Sequence, residues 1–133
     1  MKKIEHIGIA VQNIEESIKT FESLLGSSCY KVELVESEYV KTAFFTIGES
    51  KIELLAATDQ NSAIAKFLAK RGNGIHHIAF DVSDINYEIQ RLTKLGFELI
   101  QQTPKDGADN KLIAFLHPKS TDGVLIELCQ EKM

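Results

Sequence analysis

The chain repeats itself. Ile4-Glu5-His6-Ile7-Gly8-Ile9-Ala10-Val11, followed by Asn13 and Ile14, returns as Ile75-His76-His77-Ile78-Ala79-Phe80-Asp81-Val82, followed by Asp84 and Ile85. A shift of 71 residues lays His77 on His6, Asp84 on Asn13 and Ile85 on Ile14. Further on, Lys51-Ile52-Glu53-Leu54-Leu55 meets Leu125-Ile126-Glu127-Leu128-Cys129 at a shift of 74. A half-chain of roughly 65 residues is marginal on its own, so the two halves are expected to share one core. Each half opens on a histidine and closes on a glutamate, both within apolar, strand-like runs. Two such halves assemble two His and two Glu, a ligand set for a divalent metal with carboxylates near enough to move protons.

The repeat predicts a β-α-β-β-β order in each half. Residues 3–11 read as a strand. Asn13 caps the following helix, with Glu16 three residues on, and Ile14, Ile18, Phe21 and Leu25 line one helical face up to Gly26. Strands follow at 29–36, 40–47 and 50–56, with Gly48-Glu49-Ser50 turning between the last two. A short helix at 61–71 buries Ile64, Phe67 and Leu68. In the second half a strand at 75–82 leads to a helix at 84–95, capped by Ser83 or Asp84, with Ile85, Ile89, Leu92 and Leu95 inward. Strands are expected near 97–102, 111–117 and 122–130, and 103–110 reads as a long mobile loop over a site. The expectation is one domain over 1–133, with module one at about 1–57, a linker helix at about 58–73 and module two at about 74–133. Each module contributes a curled four-stranded antiparallel sheet with one helix outside.

Composition narrows the function. A net charge of −4 offers no basic stripe for nucleic acid. No apolar run approaches a membrane span, and Met1–His6 lacks the apolar stretch of a signal peptide. A cytoplasmic chain is expected, with Cys29 and Cys129 as free thiols.

The histidines are discriminated by the strand period. His76 and His77 point to opposite faces, so only one can face a given site. The repeat selects His77, the partner of His6. Glu53 and Glu127 sit between Ile and Leu in runs that bury at least one face, where an ionised carboxylate needs a partner. An edge strand with its glutamate in water explains one of them but leaves the matched histidines a coincidence. His117 belongs to the loop or to the site wall. Lys119 and Ser120 are weaker candidates for an anionic substrate group, and Glu36 and Glu38 read as surface residues.

These residues resemble the vicinal oxygen chelate superfamily, and within it the glyoxalase I and methylmalonyl-CoA epimerase branch. The likeness covers nearly the whole chain. It is most specific at Gly74-Ile75-His76-His77-Ile78-Ala79-Phe80, at Phe115-Leu116-His117-Pro118-Lys119-Ser120 and through Gly123-Val124-Leu125-Ile126-Glu127-Leu128. The resemblance implies an α+β fold of two paired β-α-β-β-β modules forming a curled sheet cleft. It places the metal ligands at His6, Glu53, His77 and Glu127, with Glu53 and Glu127 as the proton-transfer groups. One Ni²⁺, Co²⁺, Mn²⁺ or Zn²⁺ per chain suits that set, and four protein ligands leave two octahedral positions open.

Two reactions use such a site, each removing a proton from carbon beside a carbonyl. A glyoxalase I-type lyase converts the methylglyoxal–thiol hemithioacetal to an S-lactoyl thioester through an enediolate. A methylmalonyl-CoA epimerase moves the α-proton between faces. Ser37-Glu38-Tyr39-Val40 stands where epimerases carry a Gln-Gly turn, Thr42 where some carry a second acid, and the loop at 106–110 lacks their glycine-rich form. On the departures near Tyr39 and Thr42 the lyase is the expectation and the epimerase its alternative. A metal-free, antibiotic-sequestering binder is the reading from another class, and the intact ligand set argues against it. The partner is thus a small hemithioacetal or thioester, with no nucleic acid and no membrane. A homodimer is expected, with all four ligands of each site from one chain because the connection between Ala56 and Gly74 is short.

Overall fold

The computed structural model describes residues 1–132. It contains β1 (Lys3–Ala10), α1 (Ile14–Leu25), β2 (Lys31–Val35), β3 (Val40–Ile47), β4 (Ser50–Ala57), α2 (Ala63–Arg71), β5 (Gly74–Asp81), α3 (Ile85–Lys94), β6 (Lys105–Asp106), β7 (Lys111–Leu116) and β8 (Ile126–Glu131). Both expected modules are recovered in order, so the fold is α+β. The chain divides into two compact units inside β1 itself. Residues 7–76 form one unit, and residues 1–6 join the stretch from His77 onward in the other.

In the unit of residues 7–76 the strand order is β2-β3-β4-β1. β2 with β3 and β3 with β4 are antiparallel, and Phe44 lies opposite Glu53. Strand alternation then assigns the faces. Ala43, Phe45, Leu54 and Ala56 meet Ile14, Ile18, Phe21 and Leu25 of α1 in one core. Thr42, Phe44, Glu53 and Leu55 share the opposite face. The Asn13 side chain accepts from the Glu16 amide at 3.1 Å and starts α1, and Gly26, at φ 69°, ends it in the left-handed conformation that a Cβ disfavours. α2 buries Ile64, Phe67 and Leu68 against Ala10, Val40 and Leu55, as its spacing predicts.

In the other unit the order is β1-β5-β8-β7-β6. The backbone amide of Lys2 donates to Asp81 at the β5 end, at 2.8 Å. β7 with β8 is antiparallel, with Phe115 opposite Glu127 and Ile113 opposite Cys129. Ala114, Leu116 and Leu128 pack beneath Ile85, Ile89 and Leu92 of α3. Ala79, Ile113 and Cys129 cluster with Phe115 on the other face. Asp84, not Ser83, caps α3, its side chain accepting from the Tyr87 amide at 3.1 Å.

Five details depart from expectation. β5 and β8 run parallel, because these first and last strands of the module are joined by a long connection rather than by a hairpin. Residues 97–102 form no strand. Pro104 has no amide to donate and restricts Thr103 before it, so the segment holds only a single bridge, Leu99 to Leu116, with flanking bonds from Ile100 to Phe115 and from His117 to Glu98. The expected long loop at 103–110 instead contains β6 and a short 3-10 turn over Ala108–Asn110. β8 starts later than predicted because Asp122 and Gly123 both adopt positive φ, at 57° and 84°, in the turn before it. Leu95 is exposed: α3 ends at Lys94, and Leu95 is its cap rather than part of its buried stripe.

Candidate active site

β1, β5 and β8 place His6, His77 and Glu127 side by side in one unit, and all three are buried. The His6 and His77 Nε2 atoms are 3.0 Å apart. Glu127 Oε1 lies 2.9 Å from His77 Nε2 and 3.5 Å from His6 Nε2. Three donor atoms thus converge on one spot. Imidazole nitrogens and a carboxylate oxygen held this close repel unless a proton or a cation lies among them. The N,N,O donor set suits a borderline divalent ion. These residues therefore fit a metal on their own geometry.

The electrostatics are consistent with that arrangement. Burial, the largest influence on Glu127, pushes its carboxyl up. The charge of His77, hydrogen bonds from His6 and His77, and the charge of His6 outweigh it and hold the group below the ordinary carboxylate range. The other oxygen, Oε2, accepts from Cys129 Sγ at 2.9 Å. The Phe115 ring stands edge-on to His77 with centroids 5.7 Å apart, walling one side with hydrocarbon.

Glu53 lies in the other unit, buried on β4 opposite Phe44. His76 points away from the His77 face, as the strand period requires, and meets Phe67 edge-on at 5.1 Å. His117, Lys119 and Ser120 bond within their own turn and to Glu98. The Lys119 amide donates to His117 Nδ1 at 3.2 Å, the Lys119 ammonium pairs with Glu98 at 2.9 Å, and the Ser120 hydroxyl donates to the His117 carbonyl at 2.9 Å. Glu36 is exposed, whereas Glu38 is half-buried rather than a surface residue. Cys29 and Cys129 are both free thiols. Among the described residues no helix is long and apolar enough to cross a membrane.

The structure adds Glu5 and Lys111, which sequence reasoning passed over. Glu5 is buried with its Oε1 2.7 Å from His6 Nδ1, and the ammonium of the buried Lys111 stands 4.0 Å from Glu5 Oε2. The available signal was an acidic residue beside a candidate ligand in an apolar strand.

A family model described as the Glyoxalase/Bleomycin resistance protein/Dioxygenase superfamily matches residues 5–115. The chain belongs to this superfamily. Among its members, the mitochondrial methylmalonyl-CoA epimerase of Dictyostelium discoideum is 38% identical over 95% of this chain and 76% of its own length. The crystal structure of methylmalonyl-CoA epimerase from Mycobacterium tuberculosis superposes with a TM-score of 0.94 at 36% identity, covering 98% of this chain and 88% of that one. A methylmalonyl-CoA epimerase solved in complex with methylmalonyl-CoA and ammonium superposes with a TM-score of 0.95 at 33% identity, covering 98% and 95%. The paired-module fold expected from the repeat is the fold of these superfamily members, and they are isomerase-type enzymes as the enzyme class anticipated.

The expectation of a glyoxalase I-type lyase is overturned by the same relatives, which are epimerases along the whole chain. That expectation weighted two local departures too heavily. Residues 36–38 form a short 3-10 turn closed by Tyr39 at φ 55°, and Thr42 is one buried position on β3. A turn and a single side chain weigh less than a likeness that covers 98% of the chain.

Proposed function

We propose that this chain is a methylmalonyl-CoA epimerase, moving the proton on C2, the carbon between thioester and carboxylate, from one face to the other. The observation that carries the reading is the full-length likeness to epimerases, at 36% identity over 98% of the chain for the solved M. tuberculosis enzyme. The converging His6, His77 and Glu127 donors support it.

The proposed ligands of a divalent Ni, Co, Mn or Zn ion are His6, His77 and Glu127, with Glu53 as the fourth. Glu53 is included for its equivalence to Glu127 in the repeat and for its burial. Bound there, the ion would act as a Lewis acid toward the thioester oxygen and make the C2 proton more acidic. Glu127 and Glu53 are the proposed proton carriers, one taking the proton from C2 and the other returning one on the opposite face. Its neighbours hold the Glu127 carboxylate ionised, the form that can coordinate a cation. Phe115 and Ile113 beside it exclude water, which strengthens the electrostatics of the transfer. A cytoplasmic homodimer completes the proposal.

The test is NMR of methylmalonyl-CoA in D₂O with the cobalt-loaded protein. Catalytic loss of the C2 proton signal together with interconversion of the two epimers is expected. An unchanged C2 signal at saturating cobalt would overturn the reading.

A further inference from the structure

We propose that Glu5 is a positioning residue that sets the tautomer and the aim of His6, with Lys111 balancing its buried charge. The inference rests on the metal reading above for its consequence, but its geometry stands alone. A carboxylate can only accept, so at 2.7 Å the proton between the two groups lies on His6 Nδ1 and is donated to Glu5 Oε1. With Nδ1 held toward Glu5, Nε2 is the ring atom left to offer a lone pair to a cation, and it faces His77 Nε2 and Glu127 Oε1. Without Glu5 the ring is free to place the proton on Nε2 or to rotate, and the converging donor set loses one member. A hydrogen-bonded carboxylate also raises the donor strength of the imidazole.

Burying Glu5 has a cost that a carboxylate–imidazole bond alone does not cover. Lys111, on the face of β7 that also carries Ile113 and Phe115, supplies the opposite charge from the far side, so the order is Lys111, Glu5, His6, then the cluster. No catalytic contact is needed for this role. Glu5 acts through His6.

A competing role is ligation. Glu5, His6 and Cys129 also bring a donor atom each to within 4.8 Å of one another. A metal held there would bond a thiolate, which an ion among His6, His77 and Glu127 would not.

The experiment uses the full chain, labelled with ¹⁵N-histidine, and cobalt as the probe. In the metal-free wild type, at a pH where the ring is neutral, long-range ¹H–¹⁵N spectra should show His6 with Nδ1 protonated and Nε2 bare. Glu5→Ala should mix or reverse that tautomer and weaken cobalt binding by about 10–100-fold. Glu5→Gln, which keeps an accepting oxygen at the same reach, should retain the tautomer and lose only about tenfold in affinity. Circular dichroism checks the fold, and Glu5→Gln decides if Glu5→Ala does not fold. Either folded variant binding cobalt within about twofold of wild type, with the His6 tautomer unchanged, overturns the inference. A thiolate-to-cobalt charge-transfer band that disappears in Glu5→Ala also overturns it, by making Glu5 a ligand. If wild type binds no cobalt, the metal reading fails separately, and the tautomer spectra still decide the role of Glu5.

Discussion

His6 and His77 stand 71 residues apart in the chain and bring their Nε2 atoms within 3.0 Å of each other. β1 and β5 are neighbouring strands, so equivalent positions of the repeat become spatial neighbours within a single chain. An interior that collects two imidazoles and a carboxylate spends burial energy on polar groups, which argues for a ligand rather than for stability.

Metal binding is the first consequence. Purified protein loaded with cobalt and dialysed should retain about one ion per chain, as one N,N,O cluster implies. His77→Ala and Glu127→Gln should each weaken or abolish that retention by metal analysis. Full retention in both variants would show that the ion, if any, sits elsewhere.

Proton transfer is the second. Glu127→Gln and Glu53→Gln keep a coordinating oxygen but cannot take a proton. At saturating metal, each should lower kcat for C2 proton exchange by about 10²–10⁴-fold, with a much smaller change in KM. Near wild-type turnover in both would place the base on another residue.

Core packing can be tested away from the site. Leu128 is fully buried under α3, between the site residues Glu127 and Cys129 but on the opposite face of β8. Leu128→Ala should cost about 2–5 kcal/mol in urea unfolding. A cost below about 1 kcal/mol would mean that α3 collapses into the gap without penalty.

The repeat also predicts matched helix starts. Asn13 and Asp84 cap α1 and α3 with the same 3.1 Å bond to the amide three residues on. Asn13→Ala and Asp84→Ala should each lose about 1 kcal/mol of stability. A large difference between them in thermal or urea unfolding would show that the two equivalent caps carry unequal weight.

Much of the molecule is legible from local pattern. The helices at 14–25, 63–71 and 85–94 follow from 3.6-residue stripes and capping residues, and the strands that carry His6, His77, Glu53 and Glu127 follow from apolar runs. The choice of His77 over His76 needs only the two-residue strand period and the repeat. The apolar residues at 97–102 suit a strand, but the pairing available to the segment is limited by Pro104 and by how β7 is already engaged with β8 and β6. A helical stripe does not reveal where the helix stops, so Leu95 fits the stripe yet falls at the cap.

What the sequence by itself determined was periodicity: which residues lie on which face of which element, and that the two halves are built alike. It also carried the superfamily, because His6, His77 and Glu127 stand in recognisable strands. Tertiary structure alone decided the rest. The parallel pairing of β5 with β8 sets Ala79 opposite Glu127 and brings its carboxylate to His77. The approach of Lys111 to Glu5 joins β7 to β1, two strands distant in sequence and not adjacent in the sheet order. Such contacts depend on strand order and on the direction of long side chains across a face. Neither is encoded by the local alternation of apolar and polar residues, so Glu5 and Lys111 become visible only once the chain is folded.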